Sequence, residues 1–151
     1  MTTLAIAETL STEPPQIAYE PEEEVLKLLA EIGLSAAVRG CGEAAAPIFA
    51  ALALFKPDNP LAAIGQALGE ISAGRPEEAI AGLRGAGVAH DTCPDELKAV
   101  LLIALCLAGH QIDAALLCRR LLNHGDGPSR QIALRLKPVI DAGLPGSSGA
   151  A

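Results

Sequence analysis

The stretch Gly74-Arg-Pro-Glu-Glu-Ala-Ile-Ala-Gly-Leu83 combines a turn with the start of a helix. A proline is tolerated in the first turn of a helix, and the glutamates after it favour the positive end of the helix dipole. A glycine, a small residue five positions later and a larger residue four positions after that recur on both sides of this stretch. The glycines are Gly40, Gly74 and Gly109, so the spacings are 34 and 35 residues. The chain is therefore predicted to repeat a helical hairpin three times.

This period is that of the tetratricopeptide repeat (TPR), a helix-turn-helix unit. The first repeat follows the TPR spacing at seven positions, namely Leu29, Ile32, Gly33, Ala36, Ala45, Phe49 and Pro57. We therefore predict an all-α fold, a TPR-like solenoid of three helical hairpins, with a last helix from about residue 129 to 142 capping its open end. Pro138 is expected to kink this helix or to end it early.

The acidic charge is concentrated at the N-terminus. The net charge is −7, and residues 1–24 contribute six glutamates with no lysine or arginine, so the remaining 11 basic and 12 acidic residues nearly cancel. Prolines and polar residues dominate this region, which makes a packed core there unfavourable. We expect a disordered acidic arm at 1–22, a TPR-like domain at 23–143 and a flexible tail at 144–151.

Several classes of function are disfavoured by composition. The body is nearly neutral and has few aromatic residues, which argues against nucleic-acid binding. The longest apolar run is far shorter than the roughly 20 residues that span a bilayer, and no basic signal region opens the chain, so a cytoplasmic protein without membrane insertion is expected. No residue set suggests an enzyme, a metal site or a cofactor. We expect at least three of the four cysteines to be small core residues.

The first helix of the second repeat departs from the pattern. Gln66 and Glu70 stand where the repeat pattern expects buried apolar residues. The apolar residues of this helix, including Leu68, form a stripe that is displaced from those expected positions. Either this helix is rotated relative to its neighbours, or the stripe is a face that binds a partner. In a TPR stack the first helices line the concave face, and the repeat register predicts an apolar groove there that suits an amphipathic helix. Its predicted residues are Leu34, Ala37, Val38, Ile64, Leu68, Ile71, Ala99, Ile103, Cys106 and Leu107.

Three stretches carry a resemblance to a known family: Leu28-Leu-Ala-Glu-Ile-Gly-Leu34, Gly40-Cys-Gly-Glu-Ala-Ala45 and Ile48-Phe-Ala-Ala-Leu52. With Cys93-Pro-Asp-Glu96 and Gly127-Pro-Ser-Arg-Gln131, they resemble the small TPR chaperones of bacterial type III secretion that hold the needle subunit. The resemblance implies a cytoplasmic chaperone that, with a small helical co-chaperone, grips the amphipathic helix of the needle subunit and prevents its premature polymerisation.

Two other interpretations remain open. Chaperones of type III translocator proteins are also three-repeat proteins, although they usually carry more tyrosines in the groove than this chain, whose one tyrosine is Tyr19. A general TPR scaffold is the other interpretation, and it predicts a homodimer without any partner.

Overall fold

The computed structural model describes residues 20–88 and 92–143. Within these residues the chain is all-α: seven helices and no strand. The expected acidic arm lies outside the described residues up to position 19, and so does the expected tail at 144–151. The helices are α1 (Glu23–Val38), α2 (Gly42–Phe55), α3 (Pro60–Ser72), α4 (Pro76–Gly85), α5 (Asp95–Ala108), α6 (Gln111–His124) and α7 (Gly127–Gly143).

Local chemistry explains where several helices begin and end. Pro60 and Pro76 occupy the first position of α3 and α4, and the side chain of Asn59 accepts a hydrogen bond from the Leu61 N–H at 2.9 Å. Gly74 and Gly109 follow α3 and α5 in the left-handed conformation, with φ of +76° and +80°, which favours glycine. The glycines that set the repeat period are therefore turn residues.

Each helix packs on the next one along the chain, and α1, α3, α5 and α7 also contact one another in that order. The backbones of α2 and α4 do not approach each other, and neither do those of α4 and α6. The odd-numbered helices thus form a continuous row, with α2, α4 and α6 packed against it. Two side-chain pairs join α4 to the start of α6, a salt bridge from Arg84 to Asp113 and a contact from Glu77 to His110.

The residues that recur in the sequence lie in the core. The second helix of each hairpin, α2, α4 or α6, is called its return helix. The small residue that recurs in each return helix is buried, and so is the larger residue four positions later. Their burial fixes the inner face of each return helix, because positions four apart share one face of a helix. These residues are Ala45, Ala79 and Ala114, followed by Phe49, Leu83 and Cys118.

Two expectations about local structure are corrected in part. The helix α7 continues to Gly143 with Pro138 inside it, so the proline does not end the helix early. Among the cysteines Cys118 alone is fully buried, whereas Cys93 and Cys106 are half-buried and pack against the core, and Cys41 is exposed. Cys41 precedes α2 in a turn between two glycines, outside the buried faces of the helices.

Candidate partner-binding surface

A column of three apolar side chains crosses α1, α3 and α5. Leu34, Leu68 and Ile103 are separated by 34 and 35 residues, and each is half-buried. Leu68, at the centre, packs against both hydrophobic clusters of the protein. Because α3 contacts both α1 and α5, the column runs across three neighbouring helices. Leu34 and Leu68 pack against the core, and all three side chains remain partly exposed to solvent.

More exposed apolar side chains stand beside this column. Val38 ends α1 and is 74% exposed, and Leu107 lies near the end of α5 and is 61% exposed. The corresponding residue of α3 is the exposed Ser72. The other half-buried members of the predicted groove are Ile64, Ile71 and Cys106. We call these eight apolar residues, Leu34, Val38, Ile64, Leu68, Ile71, Ile103, Cys106 and Leu107, the apolar face.

The predicted groove was wrong in detail for two alanines. Ala37 and Ala99 are buried, so they cannot offer surface to a partner. Their positions in the repeat correspond to Ile71 and Ile64, which are half-buried. A methyl group stays close to its own backbone, where neighbouring helices cover it. An isoleucine at the same position extends far enough to reach solvent.

A cleft that the sequence did not predict lies between α2 and α4 and encloses about 670 Å³. Its floor is α3, and both Gln66 and Glu70 line it. Because α2 and α4 stay apart over this part of α3, the two polar residues need no burial. The corresponding residues of α5, Leu101 and Leu105, are buried. The departure of Gln66 and Glu70 from the repeat pattern was the sequence signal for this cleft.

Small and charged residues share the walls of the cleft. Arg75 lies at the turn before α4, and its Nε atom is 2.6 Å from Glu70 Oε2 and 3.1 Å from Glu78 Oε2. The guanidinium therefore holds the end of α3 against the first turn of α4. The remaining lining includes Gly42, Ala46, Ala50, Gly69, Ala79 and Gly82.

The cysteine and histidine side chains of the described residues lie within or next to the helices. In the described parts of the chain, no three histidine, cysteine or acidic side chains are grouped to hold a metal ion. Burial raises the pKa of the thiols of Cys93, Cys106 and Cys118, which disfavours the reactive thiolate. His110 lies 2.7 Å from Glu77 in an exposed pair that links two hairpins.

No family model, curated protein or solved structure matches this chain. Among the helices described here, none has the length and apolar character required to cross a membrane. The residues of the chain and their arrangement are therefore the basis for a functional proposal.

Proposed function

We propose that this chain is a TPR-like solenoid that binds an amphipathic helix of a partner protein on its apolar face. The observation that carries the proposal is the column Leu34, Leu68 and Ile103, flanked by the exposed Val38 and Leu107. An amphipathic helix places apolar residues three and four positions apart, so its stripe could follow this column.

The packing of the helices supports the TPR-like part of the proposal. In TPR proteins each repeat is a helical hairpin that contacts its neighbours in the stack. Here three hairpins share one period, their recurrent residues are buried, and their first helices contact one another in order. The helix α7 contacts α5 and α6, as a cap on the last hairpin should.

The nature of the partner follows from the resemblance described above. We propose that the client is the needle subunit of a type III secretion system, and that a small helical co-chaperone takes part in the complex. In the cytoplasm the chain would cover the apolar stripe of the subunit before export. The eight apolar residues of this face support this role, because apolar side chains cover an apolar helix without leaving their own polar groups unpaired.

Co-expression with a needle subunit and its co-chaperone tests the proposal. We expect a soluble complex, and we expect Val38→Asp and Leu107→Asp each to weaken it by roughly tenfold or more. Losing one well-buried apolar contact costs about 1.5 kcal/mol or more, and tenfold in affinity corresponds to about 1.4 kcal/mol. Calorimetric titration of the purified components gives the affinities.

The chain offers closely matched controls on its return helices. Leu54 on α2 is 71% exposed and Leu116 on α6 is 60% exposed, almost the same as Val38 and Leu107. Leu54→Asp and Leu116→Asp should leave the affinity unchanged. If the control variants weaken the complex as much as Val38→Asp and Leu107→Asp do, the apolar face is not the binding surface. A stable dimer of the chain alone, which no client dissociates, would favour the scaffold interpretation instead.

A further inference from the structure

The cleft between α2 and α4 has an equivalent one repeat further along, where α4 and α6 both pack on α5. We call this equivalent the second groove. Two side-chain pairs cross it. Arg84 donates a hydrogen bond from Nη2 to Asp113 Oδ2 at 3.0 Å. His110 Nε2 lies 2.7 Å from Glu77 Oε1. Side chains of the protein itself therefore bridge the second groove.

The repeat period shows what the first cleft lacks. Arg84 corresponds to Ala50 in α2, 34 residues earlier, and Asp113 corresponds to Glu78 in α4, 35 residues earlier. Both Ala50 and Glu78 line the cleft. The carboxylate of the pair is thus retained, whereas an exposed alanine stands where the arginine would be.

The other bridging pair is also missing from the cleft. By the repeat period Glu43 corresponds to Glu77, and Arg75 corresponds to His110. Arg75 instead pairs through its Nε atom with two other glutamates of the cleft. Among the described residues, no side chain forms an ion pair with Glu43. With three glutamates and one arginine in its lining, the cleft has a formal charge of −2.

The walls of the cleft are low enough for another chain to approach closely. One wall presents Ala46 and Ala50, the other presents Gly82 and Ala86, and all four residues are exposed. A Cβ atom at Gly82 would meet no atom within 4 Å. The wall from Gly42 to Ala50 extends about 12 Å along α2, which is the length of roughly four residues of extended chain.

We propose that this cleft binds an extended segment of a partner protein that carries a lysine or arginine between small residues. The basic side chain would take the place that Arg84 occupies in the second groove, beside Glu78, and Glu43 would add to the negative potential around it. Charge complementarity favours such a segment, because an acidic one would bring like charges together. Its small residues would pack against the alanines and the glycine of the walls.

This site is separate from the apolar face. The walls of the cleft belong to α2 and α4, whereas the apolar face lies on α1, α3 and α5. On α3 itself, Gln66 and Glu70 line the cleft and Leu68 does not. Binding in the cleft can therefore be tested without the partner of the apolar face, and Val38→Asp should leave it unchanged.

Amide NMR spectra of the full chain test the proposal. The probe is a synthetic pentapeptide with a central arginine, two alanines on each side and blocked ends, added at millimolar concentration. Glycine amide signals form a recognisable group in such spectra, and four glycines that line the cleft should shift on titration. Gly109 and Gly125 lie elsewhere and should not shift. The four reporters are Gly42, Gly65, Gly69 and Gly82.

Ala50→Arg is the decisive variant, because it restores the arginine that the second groove contains. We expect it to weaken binding of the pentapeptide by roughly tenfold or more, since its side chain would occupy the cleft and repel the peptide. Ala44→Arg is the matched control: it makes the same charge change on an exposed residue of α2 outside the cleft, and should leave binding unchanged. A pentapeptide with glutamine in place of arginine should bind about two- to fivefold more weakly, the usual effect of one exposed ion pair.

Three results would each overturn the proposal: no shift of the four cleft glycines, an equal loss of binding with Ala44→Arg, or equal binding of the glutamine peptide. A dimer in light scattering that Ala50→Arg dissociates would also overturn it and assign the cleft to a second copy. Circular dichroism checks that the variants fold. If Ala50→Arg does not fold, Gly82→Leu replaces it and Gly85→Leu is its control, because both positions have open space for a side chain but Gly85 does not line the cleft.

Discussion

The ring of Phe49 on α2 lies directly against the backbone of Gly65 on α3, so that a Cβ atom at position 65 would overlap the ring. The same ring lies close to Gly33 on α1, where a Cβ atom would be 2.9 Å from the Phe49 Cζ atom. Phe49 is fully buried. One aromatic side chain therefore fills the space among the first three helices, and two glycines make room for it.

Replacing Gly65 by alanine should destabilise the protein. Alanine is the better helix former, but its methyl group would displace the Phe49 ring inside a closely packed core. We expect Gly65→Ala to lower the free energy of unfolding by about 1–3 kcal/mol, the usual cost of overpacking. Urea denaturation followed by circular dichroism measures this change.

Gly82 in α4 is the matched control. It also lies within a helix, yet a Cβ atom there would meet no atom within 4 Å. We expect Gly82→Ala to raise the free energy of unfolding by roughly 0.5–1 kcal/mol, because alanine loses less backbone entropy than glycine in a helix. If both variants were stabilised, the close packing of Phe49 on Gly65 would be refuted.

Much of this core could be predicted from the sequence. The recurrence of Ala45, Ala79 and Ala114 at the TPR spacing marked residues that are in fact buried. Helical hairpins of constant length repeat the same contacts, so a residue type needed at one interface recurs at the next. The all-α class followed from the same periodicity.

The surface could be predicted less well, because exposure depends on how far a side chain extends beyond its neighbours. Ala37 and Ile71 occupy equivalent positions, but Ala37 is buried and Ile71 is half-buried. The cleft above Gln66 and Glu70 depends on the distance between α2 and α4, two helices that do not contact each other. A single sequence pattern contains no measure of that distance.

Asp95 at the start of α5 should contribute to stability at neutral pH. Its carboxylate accepts a hydrogen bond from Lys98 at 3.0 Å and another from the Asp126 N–H at 3.1 Å. The hydrogen bond from Lys98 is the main cause that lowers the pKa of Asp95. We expect Asp95→Asn to reduce the free energy of unfolding by about 1–2 kcal/mol at pH 7, because a hydrogen bond to a charged group contributes roughly 1.5–3 kcal/mol and this carboxylate is partly exposed to solvent.

The pH dependence of this effect has a definite sign. A carboxyl group whose pKa is lowered in the folded state stabilises the protein above its unfolded pKa, and that contribution disappears as the pH falls through the folded pKa. The difference between the native protein and Asp95→Asn should therefore shrink as the pH falls below about 4. Asp58→Asn, in the exposed turn before α3, serves as the control and should change stability little at either pH. A difference that stayed constant with pH would contradict the assignment.

The four cysteines should differ in their rates of reaction with a thiol reagent. Cys41 is exposed, whereas burial raises the pKa of the thiol of Cys118, whose Sγ atom donates a hydrogen bond to the Ala133 carbonyl at 3.4 Å. We expect a disulfide reagent at pH 8 to modify Cys41 first and Cys118 last. Cys41→Ser should remove the fast phase, and unfolding in urea should make all remaining thiols react quickly. A fast phase that survives in Cys41→Ser would show that another thiol is accessible.

Pro138 lies inside α7, where it cannot donate the backbone hydrogen bond that other residues of a helix donate. Its side chain is exposed, so replacing it removes little packing. We expect Pro138→Ala to raise the free energy of unfolding by about 1–3 kcal/mol, because proline is roughly 3 kcal/mol less favourable than alanine in a helix interior and its rigidity in the unfolded chain offsets part of this. Pro128 is the control, since it lies in the first turn of α7, where no intrahelical bond is lost. Pro128→Ala should give no comparable gain in a urea denaturation experiment, and equal gains in both variants would argue against a continuous helix through Pro138.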